Sequence, residues 1–145
     1  MMSTIKLEVE RSPAEKTLEP LRSALRAYNE SRVGSYAASR IGLLAHADDG
    51  EFLGGGYGWL QWGWLYVEWL FVAESSRRHG LGGRMLAALE GFARDEGVTR
   101  ARLNTGSFQG ALPFYLRHGY TVYAELPITA PDGAEHVDYS LRKSL

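Results

Sequence analysis

Apolar and polar residues alternate over residues 5–9, with Ile5, Leu7 and Val9 on one side, the period of a strand with one buried face. Ser12-Pro13-Ala14-Glu15 then reads as a helix start: Ser12 as N-cap, Pro13 at the first helical position, Glu15 completing a capping box. Leu18, Leu21, Leu25 and Tyr28 supply an apolar stripe for a helix ending near Asn29. Residues 31–39 fit either a second short helix or a loop. Residues 40–47 read as a strand, and Asp48-Asp49-Gly50 as a hairpin turn into a strand over 51–60. Gln61-Trp62-Gly63 is a further turn before a strand over 64–72. A glycine-rich turn beginning at Arg77 then feeds a helix reaching Glu96 and closed by Gly97. Met85, Leu86, Leu89 and Phe92 form the apolar face of that helix, with Arg84, Glu90, Arg94 and Asp95 on the other. A strand over 100–105, a short helix over 111–118 closed by Gly119, and strands over 120–126 and 137–142 around Pro131-Asp132-Gly133 complete the chain. This order predicts an α/β (α+β) fold, a mixed sheet with helices on both faces.

At 145 residues, with no repeat and no linker, the chain is expected to form one domain over 1–145. A net charge of −1 gives no reason to expect nucleic acid or an anionic membrane as partner. The absence of cysteine excludes disulfides, cysteine–zinc sites and a cysteine nucleophile, and fits a cytoplasmic location. Residues 1–8 lack an apolar signal core, so secretion is not expected. Residues 52–73 carry a single charge, Glu68, over a length that could span a bilayer, yet their interleaved Gly, Trp and Tyr read as β structure. His46, His118 and His136 show no metal-ligand spacing, so no metal is expected. Of Trp59, Trp62, Trp64 and Trp69, core is the default, with some free to wall a pocket.

The chemistry concentrates at Arg77-Arg78-His79-Gly80-Leu81-Gly82-Gly83-Arg84. A glycine turn opening a helix leaves backbone N–H groups free at a positive helix end, which suits phosphate oxygens, and the arginines add charge. A dinucleotide-binding turn would need glycine where Met85 stands, and a P-loop would need Lys followed by Ser or Thr. The turn therefore predicts a phosphorylated ligand of another kind, against the alternative of a solvated surface turn.

R-R-H-G-L-G from Arg77 resembles the Q/R-x-x-G-x-G/A signature of the GNAT superfamily, the acetyl-CoA-dependent N-acetyltransferases. A-L-P-F-Y-L-R-H-G-Y, from Ala111 to Tyr120, is similar to that family's helix-to-strand motif. The resemblance is good over residues 40–120 and looser at both ends. It implies a central mixed, mostly antiparallel sheet, splayed where acetyl-CoA binds. It also implies that Arg77, Arg78, His79, Gly80, Leu81, Gly82, Gly83 and Arg84 hold the pyrophosphate of coenzyme A. Leu70 and Val72, with Phe71 as a further candidate, would offer main-chain groups to the pantetheine arm, in the manner of an added strand. Tyr115 matches the family's general acid, which protonates the departing thiolate.

Glu68, the only acid in a long apolar strand, is the candidate base, with a salt-bridge or substrate-anchoring role as the alternative. Tyr66 shares its face by the two-residue period and is a candidate substrate contact, as is His136 in the C-terminal hairpin. Phe108 stands where the family often has Asn, and the adjacent Gln109 is a candidate polar contact to the cofactor; Tyr120 replaces the family's usual Phe, a mild change. The expected reaction is direct acetyl transfer to a primary amine in a ternary complex, with a backbone N–H of residues 70–72 stabilising the oxyanion. The acceptor would be a cationic small molecule, an aminoglycoside-like drug, a polyamine or a peptide N-terminus. A non-catalytic acyl-CoA-binding module, and a transferase using another acyl-CoA, are the alternatives. A homodimer is compatible with the resemblance and with an exposed C-terminal strand edge.

Overall fold

The structure is a computed structural model describing residues 3–145. These fall into two compact units, one up to Tyr36 and one from Ala37 to Leu145. The first contains helix α1, Glu15–Val33, in which no residue is buried. Two expectations fail there. Residues 5–9 form no strand: alternation supplies one apolar side, but a strand also needs a partner for its N–H and C=O groups. Ser12 is not the cap, because its φ of 52° is left-handed whereas a capping residue is extended; the N-cap is Ala14. Glu15 is consequently the first helical residue, too early for a capping box, and bonds Arg22 at 2.8 Å instead. The helix runs on to Val33, and 34–38 are irregular.

The second unit is built on a six-stranded sheet in the order β1-β2-β3-β4-β6-β5. The strands are β1 (Ser39–His46), β2 (Phe52–Gln61), β3 (Trp64–Val72), β4 (Arg100–Gly106), β5 (Thr121–Thr129) and β6 (Glu135–Ser144). Every neighbouring pair is antiparallel except β3 and β4, which are parallel and joined through helix α2, Leu81–Asp95. A parallel pair needs such a crossover, and residues 73–99 provide it. Residues 52–73 are two strands of this sheet, and no described helix is long and apolar enough to cross a membrane.

Leu86, Leu89 and Ala93 recur at helical spacing and lay α2 on Leu65, Val67 and Leu103 of the sheet, and Met85 is buried as well. Full burial of one such leucine is worth roughly 1.5–3 kcal/mol. Glu90, expected on the solvent side of α2, is instead only 5% exposed. Its position one residue after Leu89 places it on the edge of the apolar stripe, and its charge is met by Lys143 Nζ at 2.9 Å and the Tyr120 hydroxyl at 2.7 Å. None of the four tryptophans is buried, Trp69 being 64% exposed. They lie along β2, β3 and the turn between them, and Trp59 and Trp69 lie against Tyr66 and Tyr57.

Candidate functional site

The site originates in an irregularity of β3. Tyr57 pairs with Trp69, but Gly58 pairs with Val67, so Glu68 is an extra residue bulged out of the ladder. Gly58 permits this: a Cβ there would lie 2.2 Å from the Tyr66 carbonyl oxygen. The bulge breaks the strict alternation, leaving Glu68 and Trp69 both exposed while Leu70 returns to the Leu89 side. On its other edge β3 pairs with β4 only from Leu65↔Ala101 to Val67↔Leu103. Beyond that point the two strands part.

A cleft of about 750 Å³ opens in the gap, lined among others by Glu68, Leu70, Val72, Asn104, Thr105 and Tyr115. The direction of the β3 main chain follows from one bond. Ala73 N–H donates to Leu53 C=O, toward β2, so by alternation Phe71 also faces β2. Leu70 and Val72 therefore turn their main-chain groups toward the cleft. The Val72 carbonyl already accepts from Arg77 Nε at 2.9 Å. Of the three residues named for the pantetheine arm, Leu70 and Val72 have the matching main-chain direction, whereas Phe71 lines the cleft with its main chain turned to β2 and its ring stacked on Phe52.

The glycine turn closes one end of the cleft. Gly80, at φ 77°, is the left-handed N-cap of α2, a conformation that costs a side-chain-bearing residue more than glycine. The first helical bond runs from Arg84 N–H to Gly80 C=O, so the N–H groups of residues 81–83 point out of the positive end. Arg77 and Gly82 line the cleft directly. Arg78, His79 and Arg84 are exposed on the same turn. Three free amides flanked by arginines are a donor set that fits a pyrophosphate.

Tyr115 also lines the cleft, on helix α3 (Leu112–Arg117). It is 8% exposed, and burial pushes its phenol above the ordinary tyrosine value, which keeps the proton on the oxygen at neutral pH. Its ring meets Phe114 at 5.1 Å and Tyr120 at 6.0 Å, both edge-to-face. Tyr120 is more than a mild change from Phe, since its hydroxyl is hydrogen-bonded to buried Glu90.

Gln109 lines the cleft, but its carbonyl oxygen accepts from Gly106 N–H and the Thr105 hydroxyl, each at 2.9 Å, leaving only its amide N–H groups for a ligand. His136 packs edge-on against Phe108 at 5.6 Å. Glu68 makes no hydrogen bond or ion pair among the described residues. Tyr66 is half-buried; burial raises its phenol, Arg102 opposes this, and Glu68 and Asp138 add to it. Asn104, Thr105 and Asp138 had no motif to mark them, because only strand pairing brings β4 and β6 beside Glu68. Among the described residues, no His, Cys, Asp or Glu cluster could hold a metal.

The chain is similar to known acetyltransferases in both sequence and structure. Over 94 residues it is 36% identical to Blasticidin-S acetyltransferase of Streptomyces morookaense, covering 64% of this chain and 68% of that protein. The structure of a candidate acetyltransferase from Agrobacterium tumefaciens, 29% identical, superposes with a TM-score of 0.84 over 97% of this chain and 100% of that one. A candidate streptothricin acetyltransferase from Bacillus anthracis str. Ames, solved with acetyl coenzyme A, shares the fold at 18% identity, with a TM-score of 0.65 over 74% of this chain and 63% of that one. The model of the acetyltransferase (GNAT) family matches residues 5–120, and the chain belongs to that family.

Proposed function

We propose that the protein is an N-acetyltransferase that moves an acetyl group from acetyl-CoA to a primary amine of a small-molecule acceptor. The observation that carries this reading is one cleft with free helix-end amides at one end and a buried, protonated Tyr115 and a Glu68 unpaired among the described residues on its walls. Acetyl-CoA supplies an activated thioester carbon. The amides of residues 81–83, with Arg77, Arg78 and Arg84, hold its pyrophosphate, and the main chain of Leu70 and Val72 orients its arm.

The acceptor ammonium first releases one proton to solvent, and Glu68 accepts a second proton from the nitrogen as it attacks, directly or through one water. A bond from nitrogen to the acetyl carbon forms and the carbon–sulfur bond breaks. The main-chain N–H of Leu70 or Val72 steadies the charge that develops on the carbonyl oxygen. Tyr115 gives its proton to the departing sulfur. The relative named for blasticidin S favours a small-molecule acceptor. The site residues lie within residues 66–138, so this reading also treats the second unit as the catalytic one.

The test is thiol release from acetyl-CoA in the presence of blasticidin S, kanamycin, spermidine or a peptide with a free N-terminus, with calorimetric binding of acetyl-CoA alongside. Turnover with at least one amine supports the reading. Tight binding with no turnover on any of them favours a non-catalytic acyl-CoA-binding module.

A further inference from the structure

Where β3 and β4 part, the next residue on each strand is Glu68 on one and Asn104 on the other, and both line the cleft. An asparagine amide presents either a donor or an acceptor, depending on which way it is turned. Here the choice is fixed from behind. The Asn104 amide nitrogen donates to Ser140 Oγ at 2.8 Å and to Asp138 Oδ2 at 3.3 Å, both on the paired strand β6. Ser140 would tolerate either orientation, but an ionised carboxylate can only accept, so Asp138 decides it. The carbonyl oxygen Oδ1 is left facing the Tyr66 hydroxyl at 3.5 Å, a long contact that leaves room for a stronger donor.

We propose that Asn104 is an acceptor-recognition residue, held carbonyl-outward by Asp138 and Ser140 as positioning residues, so that the cleft selects acceptors rich in N–H donors. This rests on the transferase reading above and adds to it the class of acceptor: an amine presented as an ammonium, or one with a guanidinium close to the reacting nitrogen. The Glu68 carboxylate and Asn104 Oδ1 give the acceptor side of the cleft two hydrogen-bond acceptors. The exposed Trp69 ring beside Glu68 adds a face that attracts cations. Arg102 marks the limit of this environment. It lies two residues back on β4, over the Tyr66 ring at 4.6 Å, so a cationic group is held forward of it, between Glu68 and Asn104.

The test is steady-state kinetics with whichever amine of the panel turns over fastest, varying the amine at saturating acetyl-CoA and then acetyl-CoA at saturating amine. Asn104→Leu is expected to raise the amine KM about tenfold or more, the loss of a hydrogen bond to a charged donor, with the KM for acetyl-CoA unchanged. Asp138→Asn, which lets the amide turn over, is expected to raise it roughly two- to tenfold. In the Asn104→Leu background Asp138→Asn should add nothing, a coupling that a purely structural role would not produce. Asn104→Ala, which adds no bulk beside Tyr66, carries the same single-variant and coupling tests if Asn104→Leu does not fold. An unchanged amine KM in Asn104→Leu with turnover intact overturns the inference alone, as does a full Asp138→Asn effect in that background. A wild-type protein that releases no thiol with any amine overturns the transferase reading and the inference with it.

Discussion

The Tyr120 hydroxyl donates to Glu90 Oε2 at 2.7 Å, joining the residue just before β5 to the middle of the helix that starts at the glycine turn. Lys143 from β6 holds the other carboxylate oxygen at 2.9 Å. Tyr120→Phe keeps the ring and its contact with Tyr115 but strips Glu90 of one partner in a nearly dry setting. The expected cost is about 1–3 kcal/mol, read from urea unfolding.

The same bond makes stability pH-dependent at the alkaline end. Burial, reinforced by Glu90, pushes the Tyr120 phenol well above its ordinary value. The folded state then keeps a proton that the unfolded chain releases near pH 10, so stability falls as pH rises above about 10 and is fully present below it. Tyr120→Phe should show a shallower decline there than wild type; identical slopes would mean that the phenol does not titrate differently in the two states.

Gly58→Ala tests the bulge. The new methyl would meet the Tyr66 carbonyl, a backbone atom that cannot swing aside. Expected is a loss of about 1–3 kcal/mol, as in overpacked cores, with a larger fall in kcat than in acetyl-CoA affinity because Glu68 is displaced. Calorimetric binding of acetyl-CoA separates the two effects.

Gly82→Asp places a carboxylate on the first turn of α2, at the end of the cleft proposed to hold the pyrophosphate. Repulsion of a pyrophosphate should weaken acetyl-CoA binding by about tenfold or more. Gly82→Ala, whose methyl would sit 3.3 Å from Phe114, controls for bulk and should weaken binding less.

Parts of this site are written locally in the chain, and other parts are not. The turn at Arg77 and the helix bearing Tyr115 are legible because a short stretch must itself supply the amides, charges and spacing that the chemistry needs. Glu68 stands out as the lone charge in an apolar strand, but its bulge depends on Gly58 across the β2–β3 ladder. Asn104 and Asp138 are 34 residues apart, and only the β4–β6 register brings them together. Glu90 looked solvated because helical periodicity places it at the boundary of the stripe, where a buried partner such as Tyr120 decides its side. The alternation at residues 5–9 misled because periodicity reports a face without reporting a partner strand.

The most direct measurement is the pH profile of kcat for thiol release by wild type and Tyr115→Phe with the best amine. Burial raises the Tyr115 phenol, so wild type should stay active through neutral and mildly alkaline pH and decline only above the ordinary tyrosine value. Tyr115→Phe should lose about 10²–10⁴-fold in kcat and lose that alkaline decline, with acetyl-CoA binding intact. A Tyr115→Phe protein with wild-type kcat and the same alkaline limb would contradict the assignment of Tyr115 as the acid.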